Sequence, residues 1–248
     1  MPGYLTKQER IGIAGAADLT IRSLLDRQQY FDPHGDAERV GISSANWPLF
    51  GLVWPSGLQL ASRIAARPVQ AGERILEVGC GLALASLVAH RRGADVTASD
   101  CHPLAAEFLH ENVRLNALAP LPYRHGDWAA TEPPAEPSSV TPEPEGAPSR
   151  PEGAPSEDTV RGRFDLIIGS DVLYERDSGA TLARFIGRHT GAAAEVWIVD
   201  PDRGNRPAFN RQMAELGFAL REQHIAALAS PGAAAYKGRM LIYSRSPP

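Results

Sequence analysis

Glycines and carboxylates recur in this chain at the points where apolar runs break off. Glu77, Gly79 and Gly81 lie in the run Arg74-Ile75-Leu76-Glu77-Val78-Gly79-Cys80-Gly81-Leu82-Ala83. That run reads as a short buried strand, a glycine turn and the start of a helix. The glycines let the backbone turn sharply and lie close to a ligand, and the helix N-terminus behind them favours polar ligand groups. A nucleotide-type cofactor suits such a turn. A dinucleotide needs G-x-G-x-x-G, but three residues after Gly81 the chain has Leu84. Asp100 follows about twenty residues past the glycines, where a carboxylate can accept both hydroxyls of a ribose. Asp127 and Trp128 end a third apolar segment, where a side-chain or backbone group could reach an adenine amine and an aromatic could pack beside its ring. Ser170 and Asp171 end a fourth, with Tyr174 three residues on. Each has a plainer alternative: Glu77 satisfying backbone donors, Asp100 capping a helix, Trp128 filling core, Asp171 capping a helix before a core tyrosine.

These residues need a frame, and the rest of the sequence supplies one. A length of 248 residues with 43% apolar and 22% charged side chains suits one α/β domain with embellishments. The spacing predicts strands at Asp95–Ser99, near Leu121–His125, at Phe164–Gly169 and at Glu195–Asp200. Helices alternate with them: about Leu82–Arg92 stopped by Gly93, one opened by Pro103, one around Gly179–His189, and one carrying Phe209, Met213 and Leu216. Apolar runs near Phe218–Leu220 and Met240–Tyr243 predict a terminal antiparallel pair. The fold class expected is α/β, a Rossmann-like doubly wound and mostly parallel seven-stranded sheet with an antiparallel C-terminal strand. In such a sheet ligands bind outside the carboxyl ends of the strands, where all the candidate residues fall.

Two segments stand apart. Residues 1–55 are expected to form an N-terminal helical and lid segment, with Leu19–Tyr30 as an amphipathic helix and the aromatic-rich Ser43–Gly57 covering the site of the domain at 56–248. In that lid Trp54 would line a pocket and Trp47 would pack the segment on the sheet. The stretch 132–158 repeats PEGAPS and holds seven acids against one base, with almost no apolar side chain to bury. It predicts a disordered insert. Outside it the chain is nearly neutral although the whole carries −4, so there is no electrostatic case for nucleic acid. No apolar run is long enough for a bilayer and no secretory signal opens the chain, so no membrane partner and a cytoplasmic location are expected. Two cysteines, Cys80 and Cys101, suit a reducing compartment, and the histidines show no metal-ligand spacing.

The acid two before the first glycine and the small Ala83 resemble the E/D-x-G-x-G-x-G motif of class I S-adenosylmethionine-dependent methyltransferases, with alanine in place of the third glycine. LVWPSG before the first strand, EVGCG, the SD pair at Asp100, GDW and SDVLY together narrow the likeness. They resemble methyltransferase family 16, a seven-strand group containing many protein-lysine methyltransferases and their bacterial relatives. The likeness runs from about Trp47 to Glu215. It implies S-adenosylmethionine as cofactor, Asp171 and Tyr174 as acceptor-site residues, and Trp54 as a wall of the cofactor or acceptor pocket. Glu77, Gly79, Gly81, Asp100, Asp127, Trp128 and Ser170 are then expected around the cofactor. The acceptor implied is an amine, a protein lysine first and a small metabolite second; a cofactor-binding module without turnover is the remaining alternative. The N/D-P-P-[YFW] motif of nucleic-acid methyltransferases is replaced by SDVLY.

Overall fold

The computed structural model describes residues 3–129, 159–174, 176–177, 179–227 and 235–246. The insert at 132–158 lies outside them. The chain begins with β1 (Thr6–Ile11) and β2 (Leu19–Leu24), then a one-turn α1 (Asp36–Arg39), a 3-10 turn at Trp47–Gly51 and α2 (Pro55–Ala66). The alternating part follows: β3 (Arg74–Val78), α3 (Leu84–Arg91), β4 (Asp95–Asp100), α4 (Ala105–Leu115), β5 (Tyr123–His125) and β6 (Phe164–Ser170). It closes with α5 (Thr181–His189), β7 (Thr190–Asp200), α6 (Arg206–Glu215), β8 (Ala219–Ala227) and β9 (Tyr236–Arg245).

Seven strands form one sheet in the order β5-β4-β3-β6-β7-β9-β8. Only β9 runs against its neighbours, pairing antiparallel with both β7 and β8. The continuous apolar run of β6 explains its central place. Leu166 and Ile168 pack into the layer of α2, α3 and α4, while Ile167 packs into the layer of α5 and α6. A strand covered on both faces buries every second side chain on each, so the alternation of a half-wet strand disappears. At about 1.5–3 kcal/mol per buried aliphatic side chain, these positions tie the two layers together.

From β3 the chain winds outward through β4 to β5, then returns to the other side of β3 to lay down β6 and β7. The order therefore reverses between β3 and β6. The crevice outside their carboxyl ends is the topological switch point, and every loop that carries a candidate residue opens there.

The N-terminal segment is a correction to the expected helix. Leu19–Tyr30 does not form one; Leu19–Leu24 is a strand paired antiparallel with Thr6–Ile11. Its burial alternates, with Leu19, Ile21 and Ser23 inward and Thr20 and Arg22 partly exposed, which is the two-residue period of a strand. The free edge of β2 is closed by two asparagines of α4. Asn112 Oδ1 accepts the Arg22 N–H at 2.7 Å, and Asn116 Oδ1 accepts the Thr20 N–H at 3.0 Å. Side chains 90 and 96 positions away thus satisfy the strand edge, and no local pattern announces them. Trp47 is fully buried among Tyr4, Tyr30, Phe50 and His102, so it packs the segment down rather than lining a pocket. Among the described residues, no helix is long and apolar enough to cross a membrane.

Candidate active site

The switch point holds a cavity of about 560 Å³, a size ordinary for a small-molecule site. Its floor is the turn after β3. Gly79 and Gly81 have φ of 57° and 51°, and Ala83 follows at 57°. A Cβ on Gly81 would stand 2.8 Å from the carbonyl oxygen of Phe50, and one on Gly79 would stand 2.8 Å from Val172. Backbone conformation and space both demand glycine there. The third position of the motif tolerates alanine because only one methyl group has to bear the left-handed conformation.

Two buried carboxylates brace this turn. Glu77 is 3% exposed, and its Oε2 accepts the Ser86 N–H at 2.8 Å and the Ser86 hydroxyl at 2.5 Å. It so caps the first turn of α3, whose N-cap residue Ala83 has no side chain to do so. Burial pushes its carboxyl up to about 7, against the pull of the Ser86 bonds and with some help from the Asp100 charge. A carboxyl that keeps its proton in the folded state and loses it near pH 4.5 when unfolded stabilises the fold most at low pH. That contribution is present below about pH 4.5 and lost as pH rises through about 7. We therefore expect urea midpoints of the wild type to fall between about pH 4.5 and about pH 7 more steeply than those of Glu77→Gln. Parallel profiles for the two proteins would show that Glu77 is not the titrating group.

Asp100, at the end of β4, is 8% exposed. Its Oδ2 accepts the Gly81 N–H at 2.8 Å and its Oδ1 the His102 N–H at 2.9 Å. Burial raises its proton affinity while these backbone donors oppose the rise. Each oxygen keeps a further lone pair, and Asp100 lines the cavity. The Trp128 ring lies against Gly79, with ring atoms 3.5 and 3.7 Å from the position of a Cβ there. Asp127 is not brought in. It is exposed, is absent from the cavity lining, and accepts the Ala129 N–H at 2.8 Å. Its side chain serves the turn.

The opposite wall comes from β6 and from the N-terminal segment. Trp54 donates its Nε1–H to the Leu49 carbonyl at 2.8 Å, and the Arg27 guanidinium lies 4.8 Å from its ring centroid. Ser170, Asp171 and Tyr174 all line the cavity. Asp171 has φ of 58°, an uncommon conformation for a side chain with a Cβ, and its N–H is held by the Val199 carbonyl at 2.9 Å. Arg203 donates Nε–H to Asp171 Oδ1 at 2.6 Å.

Sequence reasoning missed Arg203, Arg27, Phe50 and His102. Arg203 follows the end of β7, one strand over from β6, so the rule that sites gather at strand carboxyl ends pointed to it. His102 lies two residues past Asp100 and stacks on Phe50 at 3.6 Å. Burial drives it down to about 3, so it is a neutral ring here.

A glycine turn, a buried carboxylate, an aromatic ring and the start of α3 thus border one cavity. Asp171 and Tyr174 border the same cavity from β6. No protein-family model matches the chain. Among curated proteins it is similar to the electron transfer flavoprotein beta subunit lysine methyltransferase of Danio rerio, 40% identical over 77 residues that cover 30% of each chain. It is 23% identical over 228 residues to the Mus musculus protein of that name, covering 90% of this chain and 73% of the other. The first of these matches therefore spans less than a third of the relative's own length. Among solved structures, a methyltransferase from Pyrococcus furiosus superposes with a TM-score of 0.51 at 17% identity, covering 75% of this chain and 83% of that one. The chain thus shares its fold with this solved methyltransferase and is similar in sequence to protein-lysine methyltransferases.

Proposed function

We propose that the protein is an S-adenosylmethionine-dependent N-methyltransferase whose acceptor is the side-chain amine of a protein lysine. The observation that carries this is the place of Asp171. A carboxylate in a left-handed turn lines the same cavity as the Gly79–Gly81 turn, with the ring of Tyr174 nearby. S-adenosylmethionine would supply a sulfonium methyl group open to in-line attack by an amine lone pair, with the thioether S-adenosylhomocysteine as leaving group and a proton released from the methylated nitrogen to water. Asp100 would hold the ribose hydroxyls, while the Gly81 backbone and the N-terminus of α3 face the polar end of the cofactor. Trp128 would pack beside the adenine. Asp171 would accept a hydrogen bond from the incoming amine and aim its lone pair, and Trp54 and Tyr174 would exclude water from its path. No strong base among these residues is required, since alignment of a neutral amine suffices. The relatives named above point to lysine rather than to a small amine.

We further take residues 56–248 as the catalytic domain and 1–55 as its cover, and place the protein in the cytoplasm, where Cys80 and Cys101 stay reduced. The first experiment is transfer of label from radioactive S-adenosylmethionine into host lysate, split into protein and small-molecule fractions. Label in a discrete protein band is expected. Label confined to small molecules would replace the lysine by a metabolite amine, and cofactor binding without any transfer would leave a non-catalytic module.

A further inference from the structure

A bare carboxylate is a poor neighbour for a nucleophilic amine. It attracts the amine but also favours the ammonium form, whose lone pair is taken up by a proton. In this site the carboxylate is not bare. Arg203 Nε donates to Asp171 Oδ1 at 2.6 Å, with the Asp171 side chain only 10% exposed and that of Arg203 36% exposed. The arginine is tethered from behind as well, because its own N–H donates to Oδ1 of the fully buried Asp200 at 2.9 Å. Its Nε engages one oxygen of Asp171 and is not bonded to the second, Oδ2.

We propose that Arg203 is a positioning residue that orients Asp171 toward the acceptor amine and offsets its charge, so that the amine reaches its neutral, attacking form at lower pH. This inference rests on the methyltransferase reading above. A guanidinium facing an amine disfavours the ammonium as a carboxylate favours it, and the pair together leaves the amine close to its own proton affinity. The other groups around the pair leave that balance to Arg203. Asp200 and Tyr236 face Asp171 from β7 and β9, Tyr174 faces Arg203 from the loop after β6, and Arg206 faces Asp200 from α6. Arg206 is itself paired with Asp202, and Arg27 lines the cavity from the N-terminal segment.

The test is the pH profile of methyl transfer at saturating labelled S-adenosylmethionine, with the acceptor fraction of host lysate that takes label as probe. We expect Arg203→Gln to move the acidic limb up by about one pH unit, a roughly tenfold loss below the limb and a smaller one on the plateau. Arg203→Lys keeps a cation and should keep the limb in place while lowering the rate evenly across pH. Asp171→Asn tests the same balance from the other side: Arg203 then stands uncompensated and the limb should move down, at a reduced rate. Calorimetric affinity for S-adenosylhomocysteine shows whether each variant retains its site. An unmoved limb in Asp171→Asn, or in a cofactor-binding Arg203→Gln, would reduce Arg203 to a loop brace. A wild type that binds cofactor but labels nothing would instead remove the methyltransferase reading, and this proposal with it.

Discussion

Asp100→Ala is expected to lose S-adenosylmethionine affinity by at least about 100-fold, with a clear loss of thermal stability. The carboxylate does three things in one place. Oδ2 receives the Gly81 N–H, Oδ1 receives the His102 N–H, and the remaining lone pairs face the cavity. Truncation leaves two N–H groups without their acceptor in a region where the parent side chain is 8% exposed. Each such orphan costs about 1–3 kcal/mol, and the glycine turn relaxes to find water. The cofactor then loses its ribose acceptor and the backbone that cradles it. Every 1.4 kcal/mol lost is about a tenfold fall in affinity, so a 100-fold loss corresponds to about 2.8 kcal/mol, within the span of about 2–6 kcal/mol for two such orphans. Asp100→Asn should be milder, because its one carbonyl oxygen still accepts one of the two N–H groups. Calorimetric titration of S-adenosylhomocysteine, with a thermal melt on the same samples, measures both quantities. Affinity unchanged in Asp100→Ala, with the melt lowered, would reduce the residue to a structural brace and move the ribose elsewhere.

What the sequence made legible, and what it hid, follows the range of the interactions involved. The β3 strand, its glycine turn and α3 are local: Gly79 and Gly81 carry their own conformational demand, and the helix begins where that demand ends. The β6 strand is legible for a similar reason, since five apolar or small residues in a row can only be buried on both faces. The N-terminal hairpin is not local. Leu19–Leu24 is a strand because Thr6–Ile11 and the side chains of Asn112 and Asn116 complete its hydrogen bonds, and a window of a dozen residues contains none of those partners. The same limit explains the site. Asp100 and Asp171 end strands and were visible as strand ends. Arg203 matters only because β7 lies beside β6, which is a fact of sheet order. At Asp127 the strand end leads straight into a turn, and the aspartate side chain bonds the backbone two residues on. Trp47 and Trp54 share a motif-like segment, yet one is sealed among aromatic rings and the other walls the cavity. Which one faces inward depends on the 3-10 turn between them, and that turn is set by Phe50 packing over Gly81 and His102.

Asp171→Ala separates binding from chemistry. The side chain lines the cavity from β6, whereas the proposed ribose and backbone contacts of the cofactor come from β3, α3 and β4. Cofactor affinity should therefore stay within a few-fold of the wild type, while methyl transfer falls by about 100-fold or more, the scale on which a lost orienting contact acts. Alanine removes the hydrogen-bond acceptor for the amine and also releases Arg203, whose guanidinium then lies in the cavity without its partner and repels an incoming ammonium. Both effects act on the acceptor, so the loss should divide between KM and kcat rather than fall on KM alone. The backbone argues against a trivial collapse. Asp171 keeps its N–H bond to the Val199 carbonyl whatever the side chain, and alanine is already accepted in the left-handed region at Ala83, Ala117 and Ala180. Single-turnover transfer with labelled cofactor, alongside calorimetric affinity, is the measurement. Transfer that survives at the wild-type rate would place the acceptor away from β6 and break the link between this carboxylate and the methylated amine. Affinity lost in step with turnover would place Asp171 among the cofactor ligands, and the acceptor would then have to be sought along Tyr174 and Trp54 alone.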